Sequence, residues 1–130
     1  MTDINLKPQL RDARAHLDAT TVQKLRAIGS RMSEAAFVKN LLERFLRGTP
    51  ERLRALQAAV ADSDCEALEF QAHTLKSSCG YVGAAVMADV CQALETLGRT
   101  GDTQDAGQLV AELQESFALV TPRLESLLDE

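Results

Sequence analysis

An all-α fold, an up-down antiparallel four-helix bundle with an extra N-terminal helix, is what this sequence predicts. Three observations point to it. Ala, Leu, Glu, Gln and Arg are abundant, while aromatics make up only 4% and Trp is absent; the abundant residues are those that lose little side-chain entropy in a helix. Apolar residues recur at three- and four-residue intervals along most of the chain, the spacing of one helical face. The breaks between these stretches are short, so consecutive helices must lie antiparallel as neighbours. No alternating β-branched run competes with this reading. At 130 residues, 45% apolar and 25% charged, the chain suits one folded domain with a continuous core.

Residues 1–17 are polar, interrupted by Pro8 and weakly periodic. They are expected to form a short or frayed helical extension ahead of a domain spanning 18–130. Asp18 or Thr20 can cap a helix carrying Val22, Leu25 and Ile28, ended by Gly29-Ser30. Ser33 opens a long stretch with Phe37, Leu41, Leu42 and Phe45 on one face, and the pattern resumes after Pro50 at Leu53, Leu56 and Val60. Pro50 removes a backbone donor, so one long kinked helix over 33–61 is expected. Asp62-Ser63-Asp64 is a turn with capping residues, and a third helix follows from Cys65 to about Gly80, closed by Gly83. A fourth runs from Ala84 to about Leu97. Gly98 and Gly101 punctuate the next turn, and Asp102 or Thr103 opens a last helix through Leu109, Leu113, Phe117 and Val120, bent by Pro122.

Charge and cysteine usage exclude several classes. The net charge is −5 with both signs mixed, and no basic patch offers a footprint for nucleic acid. Cys65, Cys79 and Cys91 are odd in number and lack paired spacing, which argues for free buried thiols rather than a zinc site or disulfide framework. No signal-like or membrane-spanning apolar run is present, so a cytoplasmic protein is expected, and Met1 permits an independent short one. His16 has no charged or ligating companion at helical spacing and reads as a surface histidine.

The third helix holds the chemistry. Leu68, Ala72, Leu75 and Cys79 are spaced four, three and four apart and form its core seam. His73 is one residue past Ala72, rotated by about 100° from that seam. Its neighbours one turn away are Glu69, Phe70, Lys76 and Ser77, a mostly polar face. An outward imidazole there could act as acid or base, metal ligand or nucleophile. Lys76 can set its ammonium beside a phosphoryl group, and Ser77 can donate to a phosphoryl oxygen. No acidic cluster to hold magnesium and no glycine-rich nucleotide cradle lies nearby. Such a site can hold a phosphoryl group but should not transfer one unaided.

The run His73-Thr74-Leu75-Lys76-Ser77-Ser78-Cys79-Gly80-Tyr81-Val82-Gly83-Ala84 resembles the signature of histidine phosphotransfer domains, commonly H-x-L-K-G-S followed by a later glycine near a helix end. By helix order the resemblance extends over roughly residues 17–128, including Phe45, Thr49-Pro50 and the Gly101-Asp102 turn. It implies that His73 is phosphorylated on a ring nitrogen, usually the outer one, that Lys76 stabilises the phosphohistidine, and that Gly83 is the family's later glycine. Gly80 and Gly83 also have a plainer reading as helix ends, which is the better one for Gly83. One departure stands out: the family often has glycine after the lysine, leaving room for the partner, where this chain has Ser77. Gly80, two turns after His73, can restore close approach. The resemblance further implies a compact, commonly monomeric phosphoryl carrier of bacterial-type relays. Its partners would be response-regulator receiver domains and a hybrid sensor histidine kinase, with no cofactor or metal of its own. A receiver would dock on the flank of the third and second helices and supply magnesium, with Glu69, Phe70 and Gly80 as docking residues; packing of Phe70 against the second helix is an equal alternative.

Two other classes are weighed against this. A helical interaction module would bind a receiver or other signalling partner without phosphoryl transfer. An enzyme is disfavoured: a complete kinase needs an ATP-binding domain for which no room or motif remains, and a di-iron bundle needs Glu-x-x-His, whereas Glu69 lies four residues before His73.

Overall fold

Capping residues and apolar periodicity set five α-helices in a computed structural model that describes residues 13–30 and 34–130. Most of the expected polar extension, with Pro8, and the start at Ser33 lie outside the described residues. Helix α1 spans Ala19–Gly29; of its two candidate caps Asp18 serves, its carboxylate accepting the Thr21 N–H at 2.9 Å and the Thr21 hydroxyl at 2.7 Å. Helix α2 spans Ala35–Ala61, and α3 spans Cys65–Val82, capped by Asp64, which accepts the Ala67 N–H at 3.0 Å. Helix α4 covers Ala85–Thr100 and α5 covers Ala106–Leu128. Among the described residues, a 3-10 turn, Ala13–Ala15, precedes them.

Three boundaries differ from expectation. Helix α3 continues past Gly80 to Val82 before Gly83 ends it in the left-handed conformation, φ 80°. Helix α4 runs through Gly98 to Thr100, and only Gly101, φ 81°, turns the chain. Gly98 is buried inside the helix, where its missing side chain serves packing instead of a turn. The last helix starts later than Asp102 or Thr103, because the Asp102 carboxylate accepts the Gln104 N–H at 3.0 Å and holds those residues in the loop.

Pro50 and Pro122 both sit inside continuous helices. Each follows a threonine whose hydroxyl donates one turn back: Thr49 to the Phe45 carbonyl at 2.6 Å and Thr121 to the Phe117 carbonyl at 2.7 Å. The rings of Phe45 and Phe117 meet edge to face, centroids 5.9 Å apart, so the two proline-bearing segments are joined across the core.

The four long helices close a ring. Helix α2 packs on α3 and α5, α4 packs on the same two, and α1 leans on α2 and α3. Leu42, Leu56, Leu68, Leu75, Met87, Leu94, Leu113 and Leu124 fill the centre. Ala15 and Leu17 are also buried, with Arg14 paired to Glu115 and the Ser116 hydroxyl donating to the Arg14 carbonyl at 2.7 Å. His16 is exposed. Cys79 and Cys91 are buried free thiols, whereas Cys65 is half-buried; the contact with Cys91, together with burial, pushes the Cys79 thiol up. No described helix is long and apolar enough to cross a membrane.

The α3–α4 hairpin positions the site. As α3 advances through Glu69, His73 and Lys76, their partners on α4 run backward through Arg99, Glu95 and Gln92, the register of an antiparallel pair.

Candidate phosphoryl-acceptor site

The core seam of α3 is buried as its spacing requires, with Leu68, Ala72, Leu75 and Cys79 all at or below 1% exposure. His73, one position on, has a side chain that is 60% exposed. Its Nδ1 lies 3.0 Å from Oε2 of Glu95, a carboxylate on α4 whose own side chain is only 8% exposed. Glu95 gathers two further donors: Lys76 Nζ reaches Oε1 at 2.7 Å and Arg99 reaches Oε2 at 3.1 Å. Lys76 also donates to Gln92 Oε1 at 2.9 Å, and Arg99 Nε donates to Glu69 at 3.2 Å.

These contacts settle the chemistry of the ring. The Lys76 ammonium, followed by the smaller contribution of His73, holds the Glu95 carboxyl below the usual carboxylate range, against the opposing effect of burial. An ionised carboxylate can only accept hydrogen bonds. Nδ1 must therefore carry a proton, and in the neutral ring the Nε2 lone pair points away from Glu95. A neutral imidazole fixed in this tautomer is a nucleophile at Nε2.

Lys76 is 28% exposed and engaged by Glu95 and Gln92. An ammonium has three N–H donors, so one is left for an oxygen arriving at His73. The Ser77 hydroxyl donates to the His73 carbonyl at 3.3 Å, an ordinary one-turn-back helical bond. Glu69 is half-buried and tied to Arg99, and so belongs to the polar network that holds Glu95. Phe70 is 64% exposed and does not tuck against α2. An open groove beside the imidazole is lined by Glu66, Glu69, Phe70, Gln71 and Glu95. Gly80 is exposed, and a Cβ there would meet nothing within 4 Å.

Gly83 is structural. It is buried at φ 80°, its carbonyl accepts the Asp18 N–H at 2.6 Å, and a Cβ would come within 3.1 Å of Thr21. It thereby joins the end of α3 to the start of α1.

Glu95, Gln92 and Arg99 were not singled out from the sequence. A signal for Glu95 exists: His73 lies eleven residues before Ala84 and Glu95 eleven after it, so a hairpin at that turn sets them opposite one another. Gly98 then decides how closely they meet. A Cβ at Gly98 would lie 2.7 Å from the Glu69 amide nitrogen and 2.8 Å from the Cys65 carbonyl oxygen, both backbone atoms. Only glycine lets α4 approach α3 this closely, one turn from Glu95. Among the described residues no three His, Cys, Asp or Glu side chains are grouped to hold a metal ion.

The Hpt domain family matches this chain over residues 40–129. The fold is similar to the crystal structure of histidine-containing phosphotransfer protein B (HptB) from Pseudomonas aeruginosa PAO1, with a TM-score of 0.79 and 31% sequence identity, covering 88% of this chain and 95% of that one. No curated protein matches the chain.

Proposed function

The chain belongs to the Hpt domain family, and on that premise we propose that His73 is the residue that carries its phosphoryl group. Hpt domains are phosphocarrier modules of two-component signalling and not catalysts in their own right, and they work with receiver domains and kinases. The observation that carries the assignment is the exposed imidazole held through Nδ1 by the buried Glu95 carboxylate. A receiver presents an aspartyl phosphate to Nε2. The nitrogen lone pair attacks phosphorus in line, the N–P bond forms, and the acyl phosphate P–O bond breaks with its electrons left on the receiver's aspartate. The Nδ1 proton stays in place, and the positive charge that develops on the ring faces Glu95. The spare N–H of Lys76 meets a phosphoryl oxygen, and the Ser77 hydroxyl can turn from the His73 carbonyl to do the same. In the reverse direction the phosphohistidine donates to a second receiver, which makes the protein a relay between two aspartates.

On this reading the receiver brings the magnesium ion and most of the stabilisation of the transferring group, and positioning contributes much of the rest. The upstream donor is a hybrid sensor kinase, and the protein works as a monomer in the cytoplasm. Phe70 and the bare backbone at Gly80 form part of the face a receiver covers, while Glu69 acts through Arg99 and Glu95. The domain is taken as residues 18–130. Incubation with a phosphorylated receiver and magnesium should label the native protein at a single acid-labile site, and His73→Gln should abolish the label. A His73→Gln protein that still accepts phosphate overturns the assignment.

A further inference from the structure

A second groove lies on the other flank of α3, between α2 and α3. It is a groove of about 610 Å³ with Phe37, Arg44, Gly48 and Arg52 on the α2 side and Ser78 and Tyr81 on the α3 side. Its walls contain two arginines and no carboxylate, in a protein whose net charge is −5. Arg44 has no ion-pair partner among the described residues, and Arg52 is held only by the neutral Gln71 at 3.1 Å. The rim is aromatic: Phe37 is 61% and Tyr81 67% exposed. Together with Phe70, these are the exposed large hydrophobic residues among those described, and all three lie on α2 or α3. At the start of α3, Asp64 and Glu66 are exposed and line the separate groove beside His73.

From this arrangement we infer that the groove is the specificity-determining part of the receiver-docking surface. It would take a segment of the partner that carries carboxylates beside an apolar side chain. The inference rests on the phosphoryl-acceptor reading of His73. Its geometric basis is the size of a docking footprint. Even a small, transient interface, roughly 600 Å² on each partner, is a patch about 28 Å across. Tyr81 lies about 12 Å beyond His73 along the α3 axis at 1.5 Å per residue. A protein that centres its aspartyl phosphate on His73 therefore extends to the Tyr81 rim of the groove. Arg44, toward the Tyr81 end and without an ion-pair partner among the described residues, and the acidic residues at the start of α3 give this surface unlike charge at its two ends. A partner with the complementary pattern docks in one sense only, and like charges facing Arg44 repel wrong partners.

The test uses phosphorylated receiver domains from the same genome as donors to the full chain, with Arg44→Glu, Tyr81→Ala and, as a charge-matched control, Arg123→Glu on α5, which faces away across the ring. For the receiver that transfers fastest to the native protein, Arg44→Glu should lower kcat/KM roughly tenfold at low salt and flatten its salt dependence. Tyr81→Ala should raise KM with kcat unchanged, and Arg123→Glu should match the native protein. Chemical phosphorylation of His73 by phosphoramidate, which needs no docking, should be the same in all four. Native-like kcat/KM in both Arg44→Glu and Tyr81→Ala overturns the groove assignment and leaves the acceptor role of His73 intact. Failure of every receiver to label the native protein overturns the acceptor reading and the groove assignment with it. Loss of phosphoramidate labelling in Arg44→Glu would mean that the residue acts on His73 itself and would equally overturn a docking role.

Discussion

Glu95 Oε2 accepts from His73 Nδ1 at 3.0 Å across the α3–α4 seam, joining a carboxylate that is 8% exposed to an imidazole that is 60% exposed. The buried member fixes the tautomer of the solvent-facing one, the proposed phosphoryl acceptor. Lys76 and Arg99 hold the same carboxylate from two other directions, so its position is set by three donors.

Replacing Glu95 by glutamine keeps the shape and removes the charge. An amide can present its NH2 group to Nδ1, which would favour the wrong tautomer. A hydrogen bond to a charged group contributes about 1.5–3 kcal/mol, so phosphoryl transfer through His73 should slow by roughly 10–100-fold in Glu95→Gln. Single-turnover transfer from a saturating receiver measures this. An unchanged rate would show that Glu95 does not set the ring's tautomer.

The same carboxylate makes stability depend on acid. Its folded-state value lies below the usual carboxylate range, principally because of the Lys76 bond. Its contribution is therefore complete above the ordinary glutamate value and lost as pH falls through the lower folded one. Urea denaturation of native protein and Glu95→Gln should show the native protein more stable at pH 7. The gap should narrow as pH drops below about 4.5, the ordinary glutamate value. A gap that stays constant into strong acid would contradict this.

Gly98→Ala tests the close approach of α4 to α3. Alanine raises helix propensity by about 1 kcal/mol, but its Cβ meets backbone at 2.7 Å and 2.8 Å, where no flexible side chain can give way. Overpacking of this kind costs about 1–3 kcal/mol. The variant should melt at a lower temperature despite the better helix former, and its transfer rate should fall as Glu95 is displaced from His73. A higher melting temperature would mean that the two helices separate freely.

Gly83 and Gly101 share a left-handed backbone, with φ of 80° and 81°, but not their surroundings. A Cβ at Gly101 meets nothing within 4 Å, whereas at Gly83 it meets Thr21 at 3.1 Å and the Asp18 nitrogen at 3.2 Å. Gly101→Ala should cost about 1 kcal/mol, the backbone penalty alone. Gly83→Ala should cost more, because it also pushes α1 away. Equal losses in thermal denaturation would show that the α1 contact contributes nothing.

Much of this was legible in the linear pattern. The seam of Leu68, Ala72, Leu75 and Cys79 set the rotation of α3, and with it the outward direction of His73, because a helix permits only one relation between neighbouring positions. The family signature around His73-x-x-Lys76 pointed to phosphoryl chemistry. The expectation for Ser77 as a phosphoryl donor met a hydroxyl already bonded to the His73 carbonyl, since a serine inside a helix finds an acceptor one turn back. Gly98 reads as a turn residue in any local pattern, and only the neighbouring helix reveals it as a contact point. Arg44 and Tyr81 likewise lie on different helices, and nothing local marks them as two walls of one groove.

Helix periodicity and capping chemistry are local, so the order of residues alone specifies an antiparallel bundle with an outward histidine and a lysine one turn away. Which tautomer that histidine adopts, and which groups surround its lysine, depended on Glu95 and Gln92 arriving from another helix. That arrival depends on how closely two backbones can pass, a distance set by the absent side chain of Gly98 and measurable only once both helices are in place.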